Sequence, residues 1–399
     1  MKDLYYFNNA ATSFPKPPEV IQAVTQLLEC GGFTPSRGSS SFIQEIEDLF
    51  FECRKLLATF VGAPQPEGVC FGLNASDGLN QVIHGLLLGG DHVITTEFEH
   101  NSVLRPLEHL KTEAIDVDYV PCSKEGVFAF NDLEKLINPN TRLVIVNHVS
   151  NVTGTIAPLR EIGALCRERG IMFLVDASQS AGAIPINMCQ DKIDALAFTG
   201  HKALFGPTGT GGVIFNTETD FWQEIRTIKQ GGTGTNSAIL TQPSLLPTKF
   251  EVGTPNIVGV AGLKAGLEFI KKKTLSAIRE HDMDLTQQLC AVLQNVPGIT
   301  LHGLQDPTRQ TAVVSVTSSL LTPADLSVIL AEKYNIITRE GLHCAPLAHK
   351  RMGTFPGGTL RFSMGLFNTR EQVKYVGEEM QEIMREWASP SGGPNKGQN

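Results

Sequence analysis

The run from Ile193 to Ile214, IDALAFTGHKALFGPTGTGGVI, carries an apolar stretch to Thr199-Gly200-His201, presents one lysine, Lys202, and passes into a segment crowded with glycine. Lysine is almost never fully buried without a reason. An amine kept beside an apolar strand loses part of its charge and becomes a nucleophile. Other apolar runs also end on groups that can do chemistry. VCFGL is followed by Asn74-Ala75-Ser76-Asp77, a hydroxyl and backbone N–H groups at a predicted helix start. Unpaired N–H groups and the positive end of the helix dipole make that an anion site, although a simple Ser or Asp cap reads the same way. VITTE leads to Glu99-His100-Asn101, LVIVNHV to Ser150-Asn151, and MFLVDAS carries Asp176 with Gln179 just beyond. A carboxylate at the end of an apolar strand needs a cationic or N–H partner. For Asp176 that partner is either a neighbouring arginine or the protonated ring nitrogen of a cofactor, and His100 taken alone reads equally well as a structural histidine.

The elements that must position these groups are short apolar strands alternating with helical stretches from Val69 onward. GVCFGL precedes DGLNQVIHGLLL, DHVITT precedes NSVLRPLEHLK, RLVIVNHV precedes PLREIGALCRERG, and IMFLVDA leads on to DALAFTG. Continuous apolar strands separated by helices predict an α/β fold with a mainly parallel sheet covered on both faces. GGVIF follows Lys202 too closely for a helical crossover, so it is expected to run antiparallel. In open α/β sheets, ligands bind at the carboxyl ends of strands. Every group named above falls on that edge. Together they meet the requirements of pyridoxal phosphate: an anion cradle, an acid facing the pyridine nitrogen, a group over the ring face and a lysine for the Schiff base.

Ahead of the sheet, two amphipathic helices are expected. One has Val20, Val24, Leu27 and Leu28 on its apolar stripe; the other has Ile43, Ile46, Phe50, Leu57 and Phe60. A long helical stretch follows KFEVGTPNIVGVAG to about Asn295, and TAVVSV, DLSVILAEKYNI and LRFSMG predict a small α+β unit. The expected organisation is an N-terminal segment 1–15 packing with the small domain, a large domain 16–255, a small C-terminal domain 256–388 and a disordered tail 389–399. A net charge of −8 without a basic run argues against nucleic-acid binding. No apolar run is long enough to suggest a membrane span. The eight cysteines lack any CxxC pair, which suits reduced thiols. With no signal-peptide pattern at the start, the expected location is the cytoplasm.

GHK followed by GPTG, DASQS, EHN, HVSNVTGT, FEVGTPN and GLHCAP, in this order and spacing from NNAATS to LRFSMGLFNT, resemble the class V aminotransferase family of fold-type I pyridoxal-phosphate enzymes. Within it the chain is most similar to cysteine desulfurases and selenocysteine lyases. The resemblance implies a seven-stranded, mainly parallel large-domain sheet. It makes Lys202 the Schiff-base lysine and proton shuttle, puts His100 over the ring, pairs Asp176 with the ring nitrogen, and sets Asn151 and Gln179 at the phenolic oxygen. Ala75, Ser76, Thr199 and His201 bind the phosphate, while Gly253 and Thr254 reach the phosphate of a partner subunit in a homodimer. Arg361 clamps the substrate carboxylate, with Arg339 and Asn151 nearby. Cys344 attacks the sulfur of L-cysteine, leaving an enzyme persulfide and releasing alanine for onward transfer of sulfur to an acceptor protein, as in iron–sulfur assembly. His343 is expected to lower the Cys344 pKa. L-Selenocysteine, a cysteine lyase reaction or epimerisation stay open as alternatives. Ser40, Glu340 and Leu342, which replace residues commoner in the family, bear on that choice.

Overall fold

The computed structural model describes residues 4–29, 41–235 and 237–389, so the expectations about Ser40 and about the tail beyond Ser389 lie outside the described residues. The main sheet has seven strands in the spatial order Val69–Gly72, Gly211–Phe215, Ala195–Thr199, Met172–Asp176, Thr141–Asn147, His92–Thr96 and Asp116–Val120. All neighbours run parallel except Gly211–Phe215, which is antiparallel to both of its partners. The chain therefore has the α/β architecture expected from its strand–helix alternation. The strands at 92–96, 172–176, 195–199 and 211–215 are buried at every position, because helices cover both faces of the sheet. The edge strand Asp116–Val120 was not anticipated. Its sequence DVDYV alternates charged and apolar residues, and its first four residues are exposed or half-buried.

A second sheet, antiparallel throughout, has the order Arg339–Gly341, Thr359–Ser363, Val313–Ser318, Ile299–His302. Its core holds Leu285, Leu289 and Leu293 of the helix Leu275–Gln294 together with Phe7, Phe362 and Met380. Tyr5–Tyr6 pairs with Ile336–Ile337, while the carbonyl of His201 accepts hydrogen bonds from Ser13 N, Thr12 Oγ1 and Lys16 Nζ. The opening residues thus touch both parts of the fold.

The long helical stretch is two helices, Ile257–Lys273 and Leu275–Gln294, broken at Thr274, whose φ of 67° ends the first and whose Oγ1 accepts from Ala277 N to cap the second. The first of these lies beyond the expected boundary at 255/256, yet Val260, Leu263, Leu267 and Ile270 pack in the core of the larger sheet. Its glycines explain the close packing. A Cβ on Gly266 would stand 2.3 Å from Leu204 O, so only glycine lets the helix lie directly on the turn that follows Lys202. Helix Pro18–Glu29 departs from its expected stripe. Val20 is buried, Val24 and Leu27 are half-buried, and Leu28 is 64% exposed, because among the described residues the helix packs chiefly against Ile257–Lys273. The second predicted helix, Ser41–Val61, buries Ile46, Phe50 and Leu57, with Ile43 and Phe60 at the margin.

Candidate active site

The loops at the carboxyl ends of five main-sheet strands enclose a cavity of about 210 Å³. One end is the start of helix Ala75–Leu86, where Asn74 Oδ1 accepts from Asp77 N at 3.1 Å and the amides of Ala75 and Ser76 have no partner within the helix, an arrangement that suits an anion. Gly211 permits this, since a Cβ there would lie 2.5 Å from Asn74 Cα. Ala75, Ser76, Thr199 and His201 all line this end. Thr199 Oγ1 and His201 Nδ1 are buried with no hydrogen-bond partner. Burial, helped by Lys202 and Lys16, pushes the His201 ring down to about 4, so it is uncharged at neutral pH.

Asp176 ends the strand Met172–Asp176 and is 2% exposed. Ser178 donates to Oδ1 from its backbone N at 2.9 Å and from Oγ at 2.5 Å. Among the described residues no ion pair to arginine involves Asp176, which removes the first of its two sequence readings. Lys202 lines the same cavity and also an adjoining one beside Gln179. Burial lowers its pKa to about 8. Asp176 and Cys344 oppose the shift, and Arg361 and Arg339 reinforce it. Gln179 also lines the cavity and donates to Ala10 O at 3.0 Å.

His100 caps helix Asn101–Leu110 through Nδ1, which accepts from Ser102 N at 3.1 Å. Its pKa is lowered chiefly by burial. The preceding Glu99 is fully buried. It accepts from Thr96 Oγ1 and Asn147 N on Oε1, and burial pushes its carboxyl up to about 8, so it is protonated at neutral pH and acts as a fixed strut.

The other side of the site comes from the small sheet. Arg361 is 0% exposed and sits directly opposite Arg339 on the neighbouring antiparallel strand. Arg361 Nη1 donates to Asn151 O at 2.9 Å and Nη2 to Asn8 Oδ1 at 3.1 Å, while Nε is buried without a partner. No carboxylate pairs with either arginine among the described residues, although like charges directly opposite destabilise a sheet. Burial first, then Arg339, draws the Arg361 pKa down to about 9. Two cations side by side without a carboxylate partner among the described residues, one of them fully buried, suit a small carboxylate.

Arg339 Nη2 reaches Cys344 Sγ at 3.5 Å. His343 and Cys344 both have left-handed backbone, with φ of 47° and 58°, a strained pair for non-glycine residues. Hydrogen bonds hold it at each carbonyl: Asn151 Nδ2 donates to His343 O at 2.6 Å, and Asn101 N to Cys344 O at 2.7 Å. The expectation that His343 lowers the Cys344 pKa is corrected. The His343 ring faces away, bonded to Thr359 Oγ1 at 3.0 Å, and burial forces its pKa down to about 2. Arg339 is the cation beside the thiol.

The aminotransferase class-V family model matches residues 5–376. The chain belongs to this family. Among its class-V relatives is a probable cysteine desulfurase of Methanothermobacter thermautotrophicus, 33% identical over 388 residues that cover 96% of this chain and 95% of that one. A probable cysteine desulfurase of Pyrococcus abyssi is 34% identical over 395 residues, with 96% and 95% covered. Among solved structures, the apo cysteine desulfurase of Thermococcus onnurineus NA1 superposes with a TM-score of 0.90 at 32% identity, covering 96% of this chain and 95% of that one.

Of the residues expected in this class-V site, the cavity gathers Ala75, Ser76, His100, Asn151, Asp176, Gln179, Thr199, His201 and Lys202. Arg361 adjoins it through Asn151 O, while Cys344, which Arg339 contacts, shares an outer groove with His100. Gly253 and Thr254 are exposed and line a separate groove of about 540 Å³. Sequence reasoning missed Asn8, Ser178 and Ser102. Asn8 and Ser178 lay within NNAATS and DASQS: Ser178 donates to Asp176 two residues before it, whereas Asn8 accepts from Arg361 far along the chain.

Proposed function

We propose that this chain is a pyridoxal-phosphate-dependent cysteine desulfurase that converts L-cysteine to L-alanine and keeps the sulfur as a persulfide on Cys344. One observation carries the reading. A cavity holds a lysine whose pKa burial lowers to about 8, and behind its Asn151 stands Arg361, paired across the small sheet with Arg339, which reaches the Cys344 thiol; neither arginine has a carboxylate partner among the described residues. The cavity fits the cofactor. Thr199 Oγ1, His201 Nδ1 and the first amides of helix Ala75–Leu86 suit a phosphate, Asp176 would hold the ring-nitrogen proton, and His100, Asn151 and Gln179, which line the same cavity, would hold the ring and its phenolic oxygen. When bound, pyridoxal phosphate supplies an electron sink for charge developing at the substrate Cα.

Lys202 Nζ, its pKa lowered to about 8, would hold the cofactor and serve to move a proton at the substrate Cα. Arg361, fixed by Asn151 O and Asn8 Oδ1, receives the α-carboxylate. Arg339 stabilises the Cys344 thiolate. That thiolate attacks the substrate Sγ. The new S–S bond forms as Cβ–Sγ breaks, the electrons of the broken bond stay with the carbon fragment, and protonation there gives alanine. The persulfide sulfur then passes to an acceptor thiol. Gly253 and Thr254, with exposed Leu240, Leu245 and Phe51 nearby in the chain and groove, support a homodimer in which this segment faces the partner's phosphate site. No helix among the described residues is long and apolar enough to cross a membrane.

The test is a pair of substitutions. Lys202→Ala is expected to abolish the visible cofactor band and borohydride trapping. Cys344→Ala keeps the band and lowers alanine and sulfide release from L-cysteine by on the order of 10³ or more. Trapping at another residue, or full turnover in Cys344→Ala, overturns the reading. L-Selenocysteine as a parallel substrate separates desulfurase from lyase.

A further inference from the structure

Ser102 lines both the cavity and an outer groove of about 430 Å³ that Cys344 and His100 share. Its hydroxyl stands 2.5 Å from Ser76 Oγ at the anion end and 2.9 Å from Nδ1 of His100. We propose that Ser102 is a positioning residue that reports occupancy of the phosphate site to the His100 ring by reversing a chain of hydroxyl hydrogen bonds. The proposal rests on the reading of Ser76 and its helix as the phosphate end of the site.

The argument starts from one backbone bond. Ser102 N–H donates to His100 Nδ1 at 3.1 Å, so Nδ1 is an acceptor and the neutral ring carries its proton on Nε2. Each serine hydroxyl has a single proton to give. With no anion bound, Ser76 O–H donates to Ser102 Oγ, and Ser102 O–H donates to Nδ1. Phosphate oxygens facing the helix start draw the Ser76 proton to themselves. Ser76 Oγ then becomes an acceptor, the Ser102 proton turns toward it, and Nδ1 loses its O–H donor. The ring nitrogen gains basicity, and the freed lone pair of Ser102 can accept from it once it is protonated.

Four other charged groups act on this ring: Asp176 from the main sheet, Lys202 from its turn, Arg339 from the small sheet and Arg105 from the histidine's own helix. None of them is joined to Ser76 by a hydroxyl. Ser102 is therefore the through-bond link between the two ends of the cofactor pocket.

The experiment uses the full chain without cofactor, histidine-labelled for NMR, with inorganic phosphate as the probe and His100→Gln to identify the resonance. Saturating phosphate is expected to raise the His100 titration midpoint in wild type by about one pH unit more than in Ser102→Ala, with Ser102→Thr restoring the difference. Phosphate drawn instead to Arg361 and Arg339 acts through space equally in every variant, so the difference between variants reads the relay alone. If Ser102→Ala folds poorly, Ser76→Ala at saturating phosphate breaks the chain from its other end and is expected to give the same reduced response. Equal responses in wild type and the variants, or a wild-type ring indifferent to phosphate, overturn the proposal. Failure of the cofactor reading shows separately, as absent trapping at Lys202.

Discussion

The two ends of the site are held in opposite ways. At the Asp176–Thr199–Lys202 end, Asp176 and Thr199 finish strands of one mostly parallel sheet and Lys202 stands on the turn that follows the second of them. The Arg361–Arg339–Cys344 end hangs on the small antiparallel sheet, with paired like charges and two left-handed residues in a row. At the first end polar atoms wait without partners; at the second, positive charge and backbone strain wait as well. A fold can supply a cofactor cradle from strand ends alone. Holding a reactive thiol beside bare cations takes side-chain props from distant parts of the chain.

That contrast can be broken, starting with the largest effect. Arg361→Lys keeps the charge and loses the planar fork, so KM for L-cysteine is expected to rise roughly 10- to 100-fold with a smaller change in kcat; steady-state kinetics that split the other way would detach Arg361 from the carboxylate. Thr359→Val removes the hydroxyl that passes the His343 bond on to Ser315 Oγ and then to Val152 O, at 3.0, 3.2 and 2.7 Å. It should cost about 1–2 kcal/mol in denaturant unfolding. The same change should alter the alkylation rate of Cys344 while leaving cofactor binding in place.

At the cofactor end the effects are expected to be gentler. The rate at which cofactor attaches to the apo protein should climb with pH and level off above about 8, because the buried Lys202 amine is neutral above that value and charged below it. A midpoint near the ordinary lysine value of 10.5 would show that the amine is solvated. The smallest change concerns Glu99. Its folded-state pKa of about 8 lies above the ordinary 4.5, so the folded protein holds a proton that the unfolded chain releases, and wild type loses stability as pH rises between those values. Glu99→Gln should therefore show a flatter melting-temperature profile over that range.

Much of the cofactor end was legible in the sequence because its residues sit where apolar runs stop, a local signal. Lys202, Asp176 and His100 were found that way, and the antiparallel Gly211–Phe215 strand followed from the shortness of its connection. The sulfur end was legible only as residue types. Asn8 holds Arg361 from 353 positions away, and no local pattern announces such a contact. His343 beside Cys344 suggested a cation near the thiol, but neighbours in sequence need not face the same way, and this ring turns into the core. Edge strand Asp116–Val120 escaped because one exposed face lets charge interrupt the apolar signal. The break at Thr274 escaped because a threonine after three lysines carries no glycine or proline to mark it.

The residues ahead of helix Pro18–Glu29 touch both ends of the site: Thr12, Ser13 and Lys16 grip the carbonyl next to Lys202, and Asn8 grips Arg361. A chain shortened to start at Pro18 would lose its hold on amine and guanidinium together, so one clip at this margin would dull the chemistry of carbon and of sulfur in a single cut.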